Sequence, residues 1–178
     1  MTERRELLIG CGASREKRLA HNRDHTWKNL TSLDFNENHK PDIVHDLEVL
    51  PLPFEDSRFD EIHAYEVLEH TGRQGDWRFF FAQWSEFWRI MKPDGHFFAS
   101  VPHWQSPWVW GDPSHTRIVM PEQLTFLDQA QYLKQVGKTH MADFRFCYRA
   151  DFTTEFVKQQ GESVFFILKA IKPSRITK

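Results

Sequence analysis

Two cysteines, Cys11 and Cys147, are all that 178 residues contain. They lie too far apart for a disulfide framework or a Cys-x-x-Cys metal site, so a reducing, cytoplasmic compartment is the expectation. An excess of one charge is also missing. Lys and Arg number 23 against 25 Asp and Glu, a formal net charge of −2, and nothing in that balance favours nucleic acid or anionic membrane as a partner. No stretch reaches the roughly eighteen apolar residues of a membrane span. The charged start, Met1-Thr2-Glu3-Arg4-Arg5-Glu6, leads into a strand without the apolar region of a signal peptide. Repeats, low-complexity tracts and linkers are absent, and the length fits one domain spanning 1–178. The basic stretch Lys169–Lys178 reads as a solvated tail.

What is abundant is aromatic: 15% of the chain, with sixteen Phe and seven Trp, so a few large rings supply much of the core. Short apolar runs rich in β-formers alternate with helical or loop stretches, the pattern of parallel βαβ units in an α/β fold. Strands are expected near Glu6–Ile9, Leu30–Asp34, Asp42–His45, Glu61–Tyr65 and His96–Val101. The polar stretch Ala13–Asn29 lacks a helical period, so the first crossover is a short helix or a loop. From Trp77 to Met91 apolar residues recur three and four apart, which predicts an amphipathic helix closed by the turn Lys92-Pro93-Asp94-Gly95. An irregular aromatic insertion at about 102–120 has the character of a lid or substrate loop. A helix from Pro121 to about Val136 follows, and strands near Ala142–Arg149 and Ser163–Ile171 close the chain as an antiparallel hairpin.

Leu7-Leu8-Ile9-Gly10-Cys11-Gly12 joins a buried strand to two glycines, and Thr31-Ser32-Leu33-Asp34 ends the next strand on a carboxylate. Two glycines let the backbone turn and approach a ligand closely, and a carboxylate on the neighbouring strand can accept both hydroxyls of a ribose. In order after these come Asp46-Leu47, Phe59-Asp60-Glu61-Ile62 with Val67-Leu68-Glu69-His70, and Arg89-Ile90-Met91-Lys92-Pro93-Asp94-Gly95. Together these stretches, over about Leu7 to Val101, resemble the class I S-adenosylmethionine-dependent methyltransferases, in particular their compact type 11 branch. The resemblance implies a Rossmann-like sheet of seven strands in the order 3-2-1-4-5-7-6 with the last strand antiparallel, and S-adenosylmethionine as cofactor. It assigns Gly10, Cys11 and Gly12 to the cofactor loop, Asp34 to the ribose, Asp46 and Leu47 to adenine, and Phe35, Tyr65 and Glu66 to the cofactor site as well. The chain departs from the family pattern at two positions. Leu8 stands where an acidic residue is common, and Ser14 where a third glycine often follows.

Methyl transfer from a sulfonium needs alignment more than activation, with a general base helping a hydroxyl or protonated-nitrogen acceptor. His70, after the fourth strand, and His103, after the fifth, are the catalytic candidates, because ligands of open α/β sheets sit at the carboxyl ends of the strands. The alternative for His70 is a residue that caps or packs beneath the following helix. Trp104, Trp108 and Trp110 could clamp a flat acceptor, cover the core's open edge or form an oligomer contact. Asp112 and His115 either face the acceptor or lock their own loop. His103, Asp112 and His115 follow no established metal-ligand spacing, and no metal is expected. Tyr65-Glu66-Val67-Leu68 lacks the Asn/Asp-Pro-Pro-Tyr/Phe run of the exocyclic-amine DNA methyltransferases, and neither cysteine is placed to attack cytosine C5. The expected activity is methyl transfer to an O or N atom of a small-molecule acceptor. A methyltransferase-like binding or scaffold protein is the alternative, and the missing third glycine disfavours a nicotinamide-dependent oxidoreductase.

Overall fold

The computed structural model describes residues 4–176. Seven strands, β1 (Glu6–Ile9), β2 (Leu30–Asp34), β3 (Ile43–Val44), β4 (Phe59–Tyr65), β5 (Met91–Pro102), β6 (Phe152–Gln160) and β7 (Ser163–Ala170), form one sheet in the order β3-β2-β1-β4-β5-β7-β6. Neighbouring strands from β3 through β5 are parallel, and β7 runs antiparallel to both β5 and β6. This is the order and polarity that the family resemblance implies.

Alternation along the strands divides the sheet into two unlike faces. Leu7 and Ile9, Ile62 and Ala64, Phe97 and Ala99, and Phe166 and Leu168 point to one face and form the main core. Helix α1 (Trp77–Ile90) covers it, laying Phe81, Trp84, Phe87 and Ile90 on the strands, with Trp84 4.9 Å from Phe97 between ring centroids. Asp76 caps the helix by accepting the N–H of Phe79.

The opposite face carries Glu6, Leu8, Glu61, His63, Tyr65 and Phe98, all buried. No helix forms between β1 and β2; residues 10–29 run as turns and irregular backbone over this face. Lys17 reaches down from that loop, its Nζ 2.8 Å from Glu6 and 3.0 Å from Glu61. The Tyr65 hydroxyl lies 2.6 Å from His63 Nδ1 and accepts from the N–H of Leu19. A buried polar network thus takes the place of the apolar stripe of a crossover helix.

Four expectations are corrected. The sixth strand is Phe152–Gln160, not Ala142–Arg149. Phe144, Phe146 and Tyr148 alternate as a strand would, but the N–H groups of Cys147 and Tyr148 both return to the Phe144 carbonyl. That turn puts Phe144 and Tyr148 on the same side, where both rings meet Phe81. Second, Lys92–Gly95 does not end a helix before a separate strand. β5 begins at Met91, and these four residues bulge out between the pairings Phe59 with Met91 and Glu61 with His96. Third, the helix expected from Pro121 to Val136 is a 3-10 segment (Pro121–Leu127) followed by α3 (Gln129–Gln135). Asp128 breaks it with extended backbone and caps α3 through the N–H of Ala130. Fourth, the C-terminal stretch is not a solvated tail through Ile176. Arg175 pairs with the fully buried Asp151 at 2.7 Å and with Asp128 at 2.9 Å, while the Lys172 ammonium lies over the Trp88 ring.

Candidate active site at the carboxyl ends of the strands

The glycine turn and Asp34 meet across the ends of β1 and β2. Gly10 and Gly12 both adopt the left-handed conformation, φ +57° and +53°. They need it for different reasons. A Cβ on Gly10 would stand 2.1 Å from a methyl of Val67, whereas one on Gly12 would point into open space. Gly12 is therefore a cradle that a side chain would fill, and its residues fit a bound nucleoside in that respect. The Asp34 carboxylate accepts the N–H of Gly12 at 2.8 Å through Oδ2 and that of Asn36 at 2.9 Å through Oδ1. His39 Nδ1 also stands 3.2 Å from Oδ1, and since a carboxylate has about four lone-pair sites it keeps acceptor capacity for a ribose hydroxyl. Phe35, beside it, is 74% exposed, an apolar ring with nothing of the protein over it.

The other cofactor candidates are placed less directly. Asp46 is exposed and accepts the N–H of Glu48, while the Leu47 side chain belongs to the main core. Cys11 is buried with Leu8 and Tyr65, and burial pushes its thiol up from its ordinary value. The Tyr65 hydroxyl is committed to His63 and Leu19, so it braces the loop rather than facing a ligand. Leu8, where the family pattern is often acidic, points into that small apolar cluster.

Glu66, just after β4, has φ +52°, a left-handed turn that a non-glycine residue adopts rarely. Its Oε1 is buried without a partner. A 3-10 turn over Leu68–His70 follows. Together with Arg18, Pro102, Ser106, Trp108, Asp112, His115, Glu162 and Ser163, residues Glu66, Glu69 and His70 line a cleft of about 390 Å³.

Glu69 is 1% exposed, and neither carboxylate oxygen has a hydrogen-bond partner; burial pushes the group up to about 8. Arg117, also buried, donates its backbone N–H to the Glu69 carbonyl, but its guanidinium makes no hydrogen bond to the carboxylate. Its guanidinium donates to Leu68 O, Thr71 Oγ1 and Gln83 Oε1, pinning the turn to α1, and burial brings it down to about 10. The His70 and His115 rings stand edge to face, 4.6 Å apart. Burial and the neighbouring His115 hold His70 below its ordinary value, so it is neutral at pH 7. Hydrogen bonds from Ser114 keep Asp112 below the usual carboxylate range.

Of the acceptor-side candidates, the fold brings His70, Trp108, Asp112 and His115 into this one cleft. His103 and Trp104 open instead on a separate cleft with Val119, Met120, Pro121 and Val164. Trp110 is 74% exposed, on the single helical turn α2 (Pro107–Gly111) inside the aromatic insertion. Glu69, Arg117 and Arg18 escaped sequence reasoning; an acidic residue beside a histidine just after a strand was the signal available for Glu69.

A family model described as methyltransferase domain matches residues 7–99. No curated protein sequence matches the chain. Among solved structures, a SAM-dependent methyltransferase from Archaeoglobus fulgidus is 18% identical, with a TM-score of 0.60 over 94% of this chain and 86% of that one. The N-methyltransferase NodS from Bradyrhizobium japonicum, in complex with S-adenosyl-L-homocysteine, is 17% identical, with a TM-score of 0.53 over 94% and 78%. The 1,6-didemethyltoxoflavin-N1-methyltransferase of Burkholderia thailandensis, with 1,6-didemethyltoxoflavin and S-adenosylhomocysteine bound, is 13% identical, with a TM-score of 0.57 over 94% and 71%. With a sheet of the same order, a glycine turn braced by a strand-end aspartate and a family model covering more than half the chain, this protein belongs to the methyltransferase-domain family of class I, S-adenosylmethionine-dependent enzymes.

Proposed function

We propose that the protein transfers a methyl group from S-adenosylmethionine to an oxygen or nitrogen atom of a small molecule held in the cleft of Glu66, Glu69, His70, Trp108, Asp112 and His115. The observation that carries this reading is the position of that cleft. It opens at the carboxyl ends of β4 and β5, beside the glycine turn, where an acceptor can stand opposite a cofactor seated over the ends of β1 to β3. Gly12 leaves room for the cofactor, Asp34 offers its remaining lone pairs to the ribose, and the exposed Phe35 ring suits an adenine face.

Bound there, S-adenosylmethionine supplies a methyl group already activated on a sulfonium. The chain then has to align the acceptor and exclude water. His70, neutral at pH 7, can accept a hydrogen bond from an acceptor O–H or N–H, and Trp108, 64% exposed at the cleft's edge, offers a flat apolar wall. The aromatic insertion at 102–120 serves as the lid. No helix among the described residues is long and apolar enough to cross a membrane.

Calorimetry with S-adenosylmethionine, followed by S-adenosylhomocysteine release across a panel of small hydroxyl and amine compounds, tests the proposal. Binding of one cofactor per chain and turnover on at least one acceptor are expected. His70→Ala should then lower kcat by about 10²-fold while cofactor affinity stays within about twofold. A folded protein that binds no S-adenosylmethionine, or binds it and turns over nothing, returns the chain to the scaffold reading.

A further inference from the structure

We propose that Glu69, His70 and His115 form a binding site for a divalent transition-metal ion at the floor of the acceptor cleft. One potential ligand atom from each of the three lies within 4.8 Å of the others. Ligand atoms around a tetrahedral zinc ion stand roughly 3.3 Å apart, given bonds of about 2.0–2.1 Å, so rotation of the side chains by about an ångström closes them on an ion. This departs from the sequence-based expectation of no metal, which weighed a different set of residues.

Unsatisfied polar atoms make this more than proximity. Both oxygens of Glu69 are buried and unpartnered, as are Nδ1 of His115 and Oε1 of Glu66 in the same cleft. Buried atoms of this kind are costly unless something binds them, because each loses its water without a replacement. A cation held by Glu69 and His115 would give Glu69 and the free His115 nitrogen the partner they lack. No guanidinium does so, since Arg117 is engaged by Leu68, Thr71 and Gln83.

The His70 imidazole is arranged as a metal ligand is, with one ring nitrogen held and the other free, and His115 has a free ring nitrogen with a carboxylate on its other side. His70 Nδ1 faces Ser114, 3.0 Å from its hydroxyl and 3.3 Å from its carbonyl, which leaves Nε2 available. His115 Nε2 is directed at Asp112, 3.8 Å from Oδ2, and its Nδ1 is the unpartnered atom. The Ser114 hydroxyl and carbonyl behind His70 are an outer shell of the kind that fixes ring orientation at metal sites.

Two imidazoles with one or more carboxylates suit zinc, manganese, cobalt or iron(II), and are poor ligands for the soft ions that thiolates select. Arg18 and Glu162 line the cleft as well, so its acids, Glu66, Glu69, Asp112 and Glu162, outnumber its cation. Glu69 and His70 come from the turn after β4 and His115 from the aromatic insertion, and all three line the cleft. The use of an ion in the cleft rests on the methyl-transfer reading: there the ion would hold an acceptor's hydroxyl oxygen, and His70 would be a ligand rather than a hydrogen-bond partner of the acceptor.

The test strips the full chain with EDTA and titrates it with CoCl₂, read by visible absorption, and with ZnCl₂, read by calorimetry. One ion per chain is expected, with a cobalt spectrum of nitrogen and oxygen ligands. His70→Ala and His115→Ala should each weaken binding by at least about tenfold, and Glu69→Gln likewise, with thermal melting confirming that each variant is folded. His96→Ala, which disrupts the exposed group His21, His96 and Glu155 elsewhere on the sheet, should leave the affinity unchanged. Binding that is absent, that survives both His70→Ala and His115→Ala, or that is lost only in His96→Ala overturns the proposal. S-adenosylmethionine calorimetry on the stripped protein separates the two readings, because loss of cofactor binding counts against methyl transfer and leaves the metal titration to stand or fall by itself.

Discussion

At the scale of single residues, the two glycines of the turn after β1 are equivalent in sequence and unequal in structure. Gly10 has Val67 pressed against the place where a Cβ would go; Gly12 faces open space. Gly10→Ala combines a positive φ with a clash of 2.1 Å and should destabilise the fold by about 2–4 kcal/mol. Gly12→Ala meets only the conformational penalty, about 1 kcal/mol, yet its methyl enters the cradle. Chemical denaturation and S-adenosylmethionine calorimetry on both variants should therefore give opposite rankings: Gly10→Ala the less stable, Gly12→Ala folded but with cofactor affinity reduced by about tenfold or more. Equal losses of stability would show that the two positions are not distinguished by Val67. The glycines and Asp34 were legible in the sequence because each is an unusual residue at a strand end. Glu69 was not, because a carboxylate declares itself as functional only when it is buried without a partner, and burial at a 3-10 turn depends on contacts that Arg117 makes from 48 residues away.

At the scale of elements, β1 and β2 were readable to the residue, whereas β4 starts two residues and β5 five residues before the expected bounds. In β4 and β5 the alternate apolar residues of the core face, Ile62 and Ala64, Phe97 and Ala99, mark the paired segments, although Glu61 and His63 of β4 face the other way. The edge was not readable. β6 is exposed along most of its length and carries Thr, Glu, Lys and Gln, whereas the aromatic alternation upstream of it belongs to a turn. What holds that edge in place comes from the C-terminal stretch. Arg175 donates to both oxygens of Asp151 and to Thr153 Oγ1 at the start of β6, and also to Asp128 at the cap of α3. Asp151 is fully buried, and its remaining support is the N–H of Gln129 and the backbone N–H of Arg175. Removing the guanidinium leaves a buried carboxylate short of its charge partner, a loss that characteristically outweighs the worth of the pair itself. Arg175→Ala should cost about 2–4 kcal/mol in urea unfolding. Asp151→Asn/Arg175→Ala together should cost less than the sum of the two single changes. Full additivity would mean that the pair does not act as a unit.

Across the whole molecule, the sheet has one face closed by helices and another closed by a loop, and the second face depends on charge. Where a crossover helix would bring an apolar stripe, residues 10–29 bring Lys17 onto Glu6 and Glu61, with Arg4 also on Glu61 and His63 between Glu61 and Tyr65. Such a face has to respond to pH. His63 is fully buried, stacked on Phe98, and burial holds it down to about 4 from an ordinary value of 6.5, with Lys17 and Arg4 adding to the shift and Glu61 opposing it. Between those two values the unfolded chain binds a proton that the folded chain refuses, so folding stability is present above pH 6.5 and is lost as pH falls toward 4. The full span of 2.5 units corresponds to about 3 kcal/mol. Glu61, held well below the usual carboxylate range, extends the loss to still lower pH, while Glu69, pushed up to about 8, acts in the opposite sense. The quantity that isolates His63 is therefore a difference. His63→Gln keeps a hydrogen-bonding side chain beside Glu61 and Tyr65 but does not titrate, so urea unfolding of parent and variant from pH 7 to pH 4 should converge, the parent losing about 3 kcal/mol more. Parallel pH profiles would mean that the imidazole charges in the folded protein as readily as in water, and that the loop opens to admit the proton before the sheet unfolds.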